Sequence, residues 1–116
     1  DTMRIQILLL SFAVMLTVQA CAGVKHRALQ VNAGDSKDRV IEIMGAPDDR
    51  QFNGRQEAWQ YGMVVSIGVC DYTVIWFSEG TVKGLTSYRG FSTLGCRHGL
   101  KSINWQEAPD RAIEIR

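Results

Sequence analysis

The chain has 116 residues, which is enough for one small domain. Thirteen lysine and arginine residues nearly balance twelve acidic residues, and this balance argues against a broad nucleic-acid interface, which needs clustered positive charge. A domain of this size buries a small fraction of its surface, so it often needs a cross-link or a partner for stability.

An uncharged apolar segment lies close to the N-terminus. Residues 7–18, ILLLSFAVMLTV, follow the single positive charge of Arg4. The run is shorter than the ~20 apolar residues of a membrane-spanning helix, and it has the length of a secretory signal core. A buried helix is disfavoured because the run has no polar face. We therefore predict a signal peptide over residues 1–20.

The residue after this segment is Cys21. The sequence VQAC resembles a bacterial lipoprotein box, in which the cysteine becomes the acylated N-terminus. Cys21 is thus the predicted lipid-attachment residue, and several acyl chains together hold a protein stably on a membrane. In the alternative, signal peptidase cuts after Ala22 and releases a soluble protein. By resemblance to lipoproteins of Gram-negative bacteria, the uncharged Ala22 indicates sorting to the outer membrane, on its periplasmic face.

The two remaining cysteines are Cys70 and Cys96. An exported domain lies in an oxidising compartment, where paired thiols persist as disulfides, so we predict a Cys70–Cys96 disulfide. In the alternative, Cys96 and His98 form a nucleophile or metal pair. Near neighbours on a loop seldom converge on one metal, and the chain has only two histidines. We expect no metal site, no cofactor, no small-molecule substrate and no catalytic residues.

A short helix is predicted after a tether over residues 21–33. Ser36 is a good N-cap, and Val40, Ile41 and Met44 form an apolar stripe. Gly45 and Pro47 end the helix after about eight residues.

Three strands are predicted next, over residues 51–63, 70–80 and 81–90. Period-two alternation supports each strand, and the residue 79–80 turn joins the last two as an antiparallel hairpin. Both faces of 70–80 are apolar, which indicates a central strand. The predicted fold class is α+β, with a short helix or helix pair on a three-stranded antiparallel sheet over residues 34–90.

The remaining residues, 91–116, are predicted to form an extension packed on or beside this domain. Trp105 is expected to anchor the extension, and the alternating AIEIR at its end is a candidate edge strand or partner contact.

Several short motifs occur in the order found in a known family. Along the chain, a glycine and a helix N-cap are followed by a valine and then by Gly-x-Pro, Trp-x-Tyr and Phe-x-x-Gly motifs. The residues of this pattern are Gly34, Ser36, Val40, Gly45, Pro47, Trp59, Tyr61, Phe77 and Gly80. This pattern and the lipoprotein box, over roughly residues 16–90, resemble the SmpA/OmlA (BamE-like) family of small outer-membrane lipoproteins.

The resemblance implies a non-enzymatic accessory protein in assembly of β-barrel outer-membrane proteins and in envelope integrity. Its partners would be protein components of outer-membrane assembly, and the membrane itself through the lipid anchor. The alternative is a periplasmic protein-binding or inhibitor-type module on the same scaffold, such as an osmotic-stress lipoprotein paralogue, and a deep aromatic concavity opposite the helix would distinguish it.

Overall fold

Four antiparallel strands form the framework of the computed structural model, which describes residues 23–109. The strands are β1 (Asp49–Asn53), β2 (Gln56–Ser66), β3 (Val69–Ser78) and β4 (Thr81–Phe91). They pair in the order β1-β2-β3-β4, each antiparallel to the next. The α+β class is confirmed, and the sheet has four strands rather than the predicted three.

The additional strand is β1. Its sequence, DRQFN, contains one apolar residue, so no apolar alternation marks it as a strand. The Asn53-Gly54 pair is a turn signal in the sequence, and in the structure both of its flanks belong to a hairpin, with Gln51 paired to Ala58. Pairing with β2, rather than side-chain burial, therefore defines this edge strand.

Two short helices cover one face of the sheet: α1 (Val24–Ala28) and α2 (Lys37–Met44). The eight-residue α2 has the predicted length and caps. The Ser36 side chain accepts a hydrogen bond of 3.1 Å from the Arg39 N–H, and Gly45 has a φ of 80° at the other end.

The segment before α2 is packed against the sheet, whereas a tether was expected. Ala28 of α1 and the following Val31 are buried in the same core as α2. Three apolar residues, Val24, Ala28 and Val31, recur at helical spacing here, although the helix itself spans only five residues. Residues 23–33 therefore contribute to the fold.

The helix-facing core is built from alternate residues of the central strands. Ile75 and Phe77 of β3 point into it together with Trp59 and Tyr61 of β2 and Val40 of α2. The Trp59 and Phe77 ring centroids lie 4.6 Å apart. This arrangement confirms β3 as a central strand with two apolar faces.

The opposite face is covered by the C-terminal segment. Val74 and Trp76 of β3 pack there against Ile103 and Trp105, and the Trp76 and Trp105 rings meet edge to face with centroids 5.9 Å apart. Two 3₁₀ helices, Cys96–Gly99 and Trp105–Glu107, belong to this layer. The expected anchoring by Trp105 is confirmed.

Three predictions fall on residues outside the described range. They are the signal peptide, the lipid-attachment residue Cys21 and the AIEIR segment. Within residues 23–109, no helix is both long enough and apolar enough to cross a bilayer.

Candidate protein-binding groove

The residues of the family pattern are brought together as a scaffold. Gly34, Gly45 and Gly80 occupy positive-φ positions in the connections between elements, where glycine avoids the steric strain of a Cβ. The valine, tryptophan, tyrosine and phenylalanine of the pattern lie in one core: Val40, Trp59, Tyr61 and Phe77. Pro47 lies in the loop between α2 and β1.

Tyr61 links the end of α2 to the sheet. Its hydroxyl donates a 2.9 Å hydrogen bond to the carbonyl oxygen of Gly45. Burial, with a smaller contribution from the negative charge of Asp48, raises the pKa of the Tyr61 phenol well above its usual value. The phenol therefore stays neutral and serves as a hydrogen-bond donor.

Glu57 is the buried acid of the fold. Its carboxylate accepts hydrogen bonds of 2.8 Å from the Trp59 indole N–H and from Arg50, and it also pairs with Lys37 of α2. Burial raises the pKa of Glu57, but the hydrogen bonds from Lys37, Trp59 and Arg50 outweigh this effect, and the net pKa is lowered. Glu57 of β2 is thus ionised, and its contacts with Lys37 and Arg50 hold α2 and β1 against β2.

The predicted disulfide is present. Cys70 of β3 is bonded to Cys96 with an S–S distance of 2.09 Å, so Cys96 has no free thiol to act with His98. The bond holds the first 3₁₀ helix over Tyr72, whose hydroxyl donates to the Cys96 carbonyl oxygen at 2.5 Å. The cysteine–histidine alternative is therefore wrong for this oxidised state.

A buried amide network attaches the next part of the C-terminal segment. Gln60, which is fully buried, donates to the Lys101 carbonyl oxygen at 2.8 Å and to Asp49 at 2.7 Å. The Tyr88 hydroxyl donates to the Gln60 side-chain oxygen, and the Tyr88 ring stacks on Tyr72 with centroids 4.6 Å apart.

The aromatic face opposite the helices is consequently occupied by the chain itself. Ile103 and Trp105 lie where a ligand of an open concave sheet would bind. An inhibitor-type module that docks an enzyme through this face would first have to displace the segment around Lys101. In the described residues the accessible concavity is on the helix side instead.

A groove with a volume of about 420 Å³ opens beside α1. One wall comes from α1 and the residue after it, and the floor comes from β3 and β4; its apolar and hydroxyl lining includes Val24, Ala28, Leu29, Thr73, Leu85 and Ser87. Asp71 and Arg89, joined by a 2.7 Å ion pair, also line it. The volume suits a few side chains of a protein segment.

The outer edge of β4 adjoins this groove. At its start, Gly34 donates to the Val82 carbonyl oxygen and Val82 donates to the Asp35 carbonyl oxygen, both at 2.8 Å. From Lys83 to Phe91, no further strand pairs with the outer side of β4 within the part of the chain that the structure describes. Such an edge can pair with another extended chain.

No protein-family model, curated protein or solved structure matches this chain.

The resemblance to the SmpA/OmlA family thus depends on the sequence motifs. The contribution of α1 was not predicted from the sequence. The available signal was the i, i+4, i+7 spacing of Val24, Ala28 and Val31. Within residues 23–109, no cluster of three or more acidic, histidine or cysteine residues is arranged to hold a metal.

Proposed function

We propose that this protein is a non-enzymatic, lipid-anchored accessory protein on the periplasmic face of the bacterial outer membrane. It acts in β-barrel protein assembly and envelope integrity by binding a protein component of the assembly apparatus. The observation that carries the proposal is the edge of β4 beside the groove of α1, with which no other strand pairs among residues 23–109.

The sequence supports the location. An uncharged run of signal-peptide length ends at a cysteine in a lipoprotein-box context. A disulfide between the two other cysteines suits an oxidising compartment. Anchorage would confine the domain to the membrane surface and raise its effective concentration near other membrane proteins.

The geometry of the groove supports a protein ligand in extended conformation. Main-chain hydrogen bonds to the edge of β4 would provide affinity, and alternate side chains of the ligand would enter the groove. A segment paired along Lys83–Phe91 would pass Leu85 and Ser87, both of which line the groove. The ligand is therefore expected to be a strand or an extended loop of an assembly component.

Capture from detergent-solubilised envelopes tests this function. The native protein should retain a barrel-assembly component, and Leu29→Glu should reduce that capture about tenfold or more, because it places a charge in an apolar binding site. Leu29 is 75% exposed, so its replacement leaves the fold intact. Phe52→Glu is the control, since Phe52 is also exposed, at 62%, and does not line the groove.

Two results would contradict the proposal. One is the absence of any barrel-assembly component from the material retained by the native protein. The other is equal capture by the Leu29 and Phe52 variants, which would show that the groove is not part of the interface. Retention of a soluble periplasmic enzyme instead would favour the inhibitor-type alternative.

A further inference from the structure

One end of the sheet carries exposed apolar side chains. This surface, here named the apolar tip, comprises Val64, Val65, Ile67, Phe91 and Leu94. Ile67 is fully exposed and Phe91 is 79% exposed. Single exposed apolar residues are ordinary on a protein surface, but a cluster of them indicates an interaction surface.

The apolar tip is formed by two segments that lie side by side. The end of β2 contributes Val64 and Val65, and the turn after it contributes Ile67. The end of β4 contributes Phe91, and the loop after it contributes Leu94. Val69 pairs with Phe91 across the two strands, and the Ser92 N–H donates to the Gly68 carbonyl oxygen at 2.9 Å. The segments therefore present one continuous surface.

Charge is absent from both segments. Residues 62–70 and 90–96 contain no Asp, Glu, Lys, Arg or His. The charged residues that directly adjoin these segments in the chain are Asp71 and Arg89, which pair in register and form the 2.7 Å ion pair, and the exposed Arg97. An uncharged apolar cap with charged groups behind it matches the change in polarity from a bilayer interior to its interface.

The chain enters the described domain at this same end. A Cβ built on Gly23 would lie 3.4 Å from the terminal methyl carbon of Met63, the residue before Val64. Cys21 precedes Gly23 by two residues, a chain length of at most about 7 Å. Gly23, the second residue after the candidate lipid-attachment residue in the sequence, therefore lies near the apolar tip.

We propose that the apolar tip inserts into the lipid bilayer beside the acyl chains of Cys21. This inference rests on the proposed membrane anchorage and adds a second membrane contact to it. Two contacts fix an orientation that acyl chains alone would leave free. The strands then stand upright on the membrane, and the edge of β4 with its groove faces sideways, toward other membrane proteins.

Quenching by lipids with brominated acyl chains tests the insertion. The processed full-length protein is extracted from membranes and reconstituted in phosphatidylethanolamine–phosphatidylglycerol vesicles with and without bromine. Ile67→Trp places an additional fluorophore at the tip, and the native protein provides the baseline of its own three tryptophans. Phe52→Trp is the control, because Phe52 is exposed on β1, next to the hairpin turn at the other end of the sheet.

The expected result is at least about threefold stronger quenching of the added emission in Ile67→Trp than in Phe52→Trp, since the eleven-residue strand β2 separates the two ends by roughly 35 Å. Phe91→Trp should behave like Ile67→Trp. Both replaced side chains are exposed, so neither variant disturbs the core.

Equal quenching at Ile67 and Phe52, or none at Ile67 in vesicle-bound protein, would overturn the inference. Failure to bind vesicles would overturn it too. A tip that instead packs against a second copy would stay unquenched and give a dimer on sedimentation in detergent, and that result would also overturn the inference. These outcomes are independent of the capture experiment, because a protein can insert its tip without retaining an assembly component.

Discussion

Reduction of the Cys70–Cys96 disulfide should destabilise the domain substantially while leaving its fold in place. The bond closes a loop with a sequence separation of 26. In the chain-entropy treatment, a cross-link around a loop of this length raises the free energy of the unfolded chain by about 3.5 kcal/mol. A domain of this size has a total stability of about 5–13 kcal/mol, so the cross-link contributes a large share.

The folded state should survive reduction because other contacts hold the same segment. The Tyr72 hydroxyl still donates to the Cys96 carbonyl oxygen, and Gln60 still donates to that of Lys101. Urea denaturation followed by tryptophan fluorescence, with and without reductant, measures the effect. For a denaturant dependence of about 1–1.5 kcal/mol/M, the midpoint should fall by about 2.3–3.5 M.

A double variant, Cys70→Ala with Cys96→Ala, provides the control. It should match the reduced native protein to within about 1 kcal/mol and should not respond to reductant. A midpoint shift below about 0.5 M on reduction of the native protein would refute the reasoning, because the loop would then not be a significant constraint on the unfolded chain.

Three further changes test individual contacts. Gln60→Leu should lower the free energy of unfolding by about 1–3 kcal/mol in urea titration, because the half-buried Tyr88 hydroxyl loses the oxygen to which it donates; no change would refute the network's role. Gly99→Ala should lower the free energy of unfolding, because the added Cβ would overlap the Tyr72 hydroxyl. The decrease should be smaller when Gly99→Ala is combined with Tyr72→Phe, which removes that hydroxyl. A double variant whose decrease equals the sum of the two single decreases would contradict this contact. The folded-state pKa of Glu57 is lowered from 4.5, so its stabilisation is present above that value and is lost as the pH falls through the folded pKa. Glu57→Gln should therefore show a shallower loss of stability than the native protein below pH 4.5 on acid titration, and parallel curves would contradict the assignment.

The helix α2 and the central strands could be predicted because local chemistry and tertiary structure agree there. Ser36 caps the helix in sequence and in structure, and Gly45 ends it with a positive φ. Alternate apolar residues of β3 pack against the helices on one face of the sheet and against the C-terminal segment on the other. The disulfide could be predicted from the expected export and from the number of cysteines.

The rest depends on tertiary contacts. β1 is polar and exists through its pairing with β2. The closure of the second face depends on Gln60 meeting a backbone carbonyl 41 residues later. The groove needs α1, whose five residues are too few for a helix to form without packing. Each of these features arises from tertiary structure.

The proposed function and the membrane insertion of the apolar tip both require export and acylation at Cys21. The intact mass of the protein extracted from membranes tests this requirement most directly. The expected mass is that of a chain beginning at Cys21 with attached acyl groups and two hydrogens fewer for the Cys70–Cys96 bond. A mass that retains the leader, with three free thiols, would contradict both proposals.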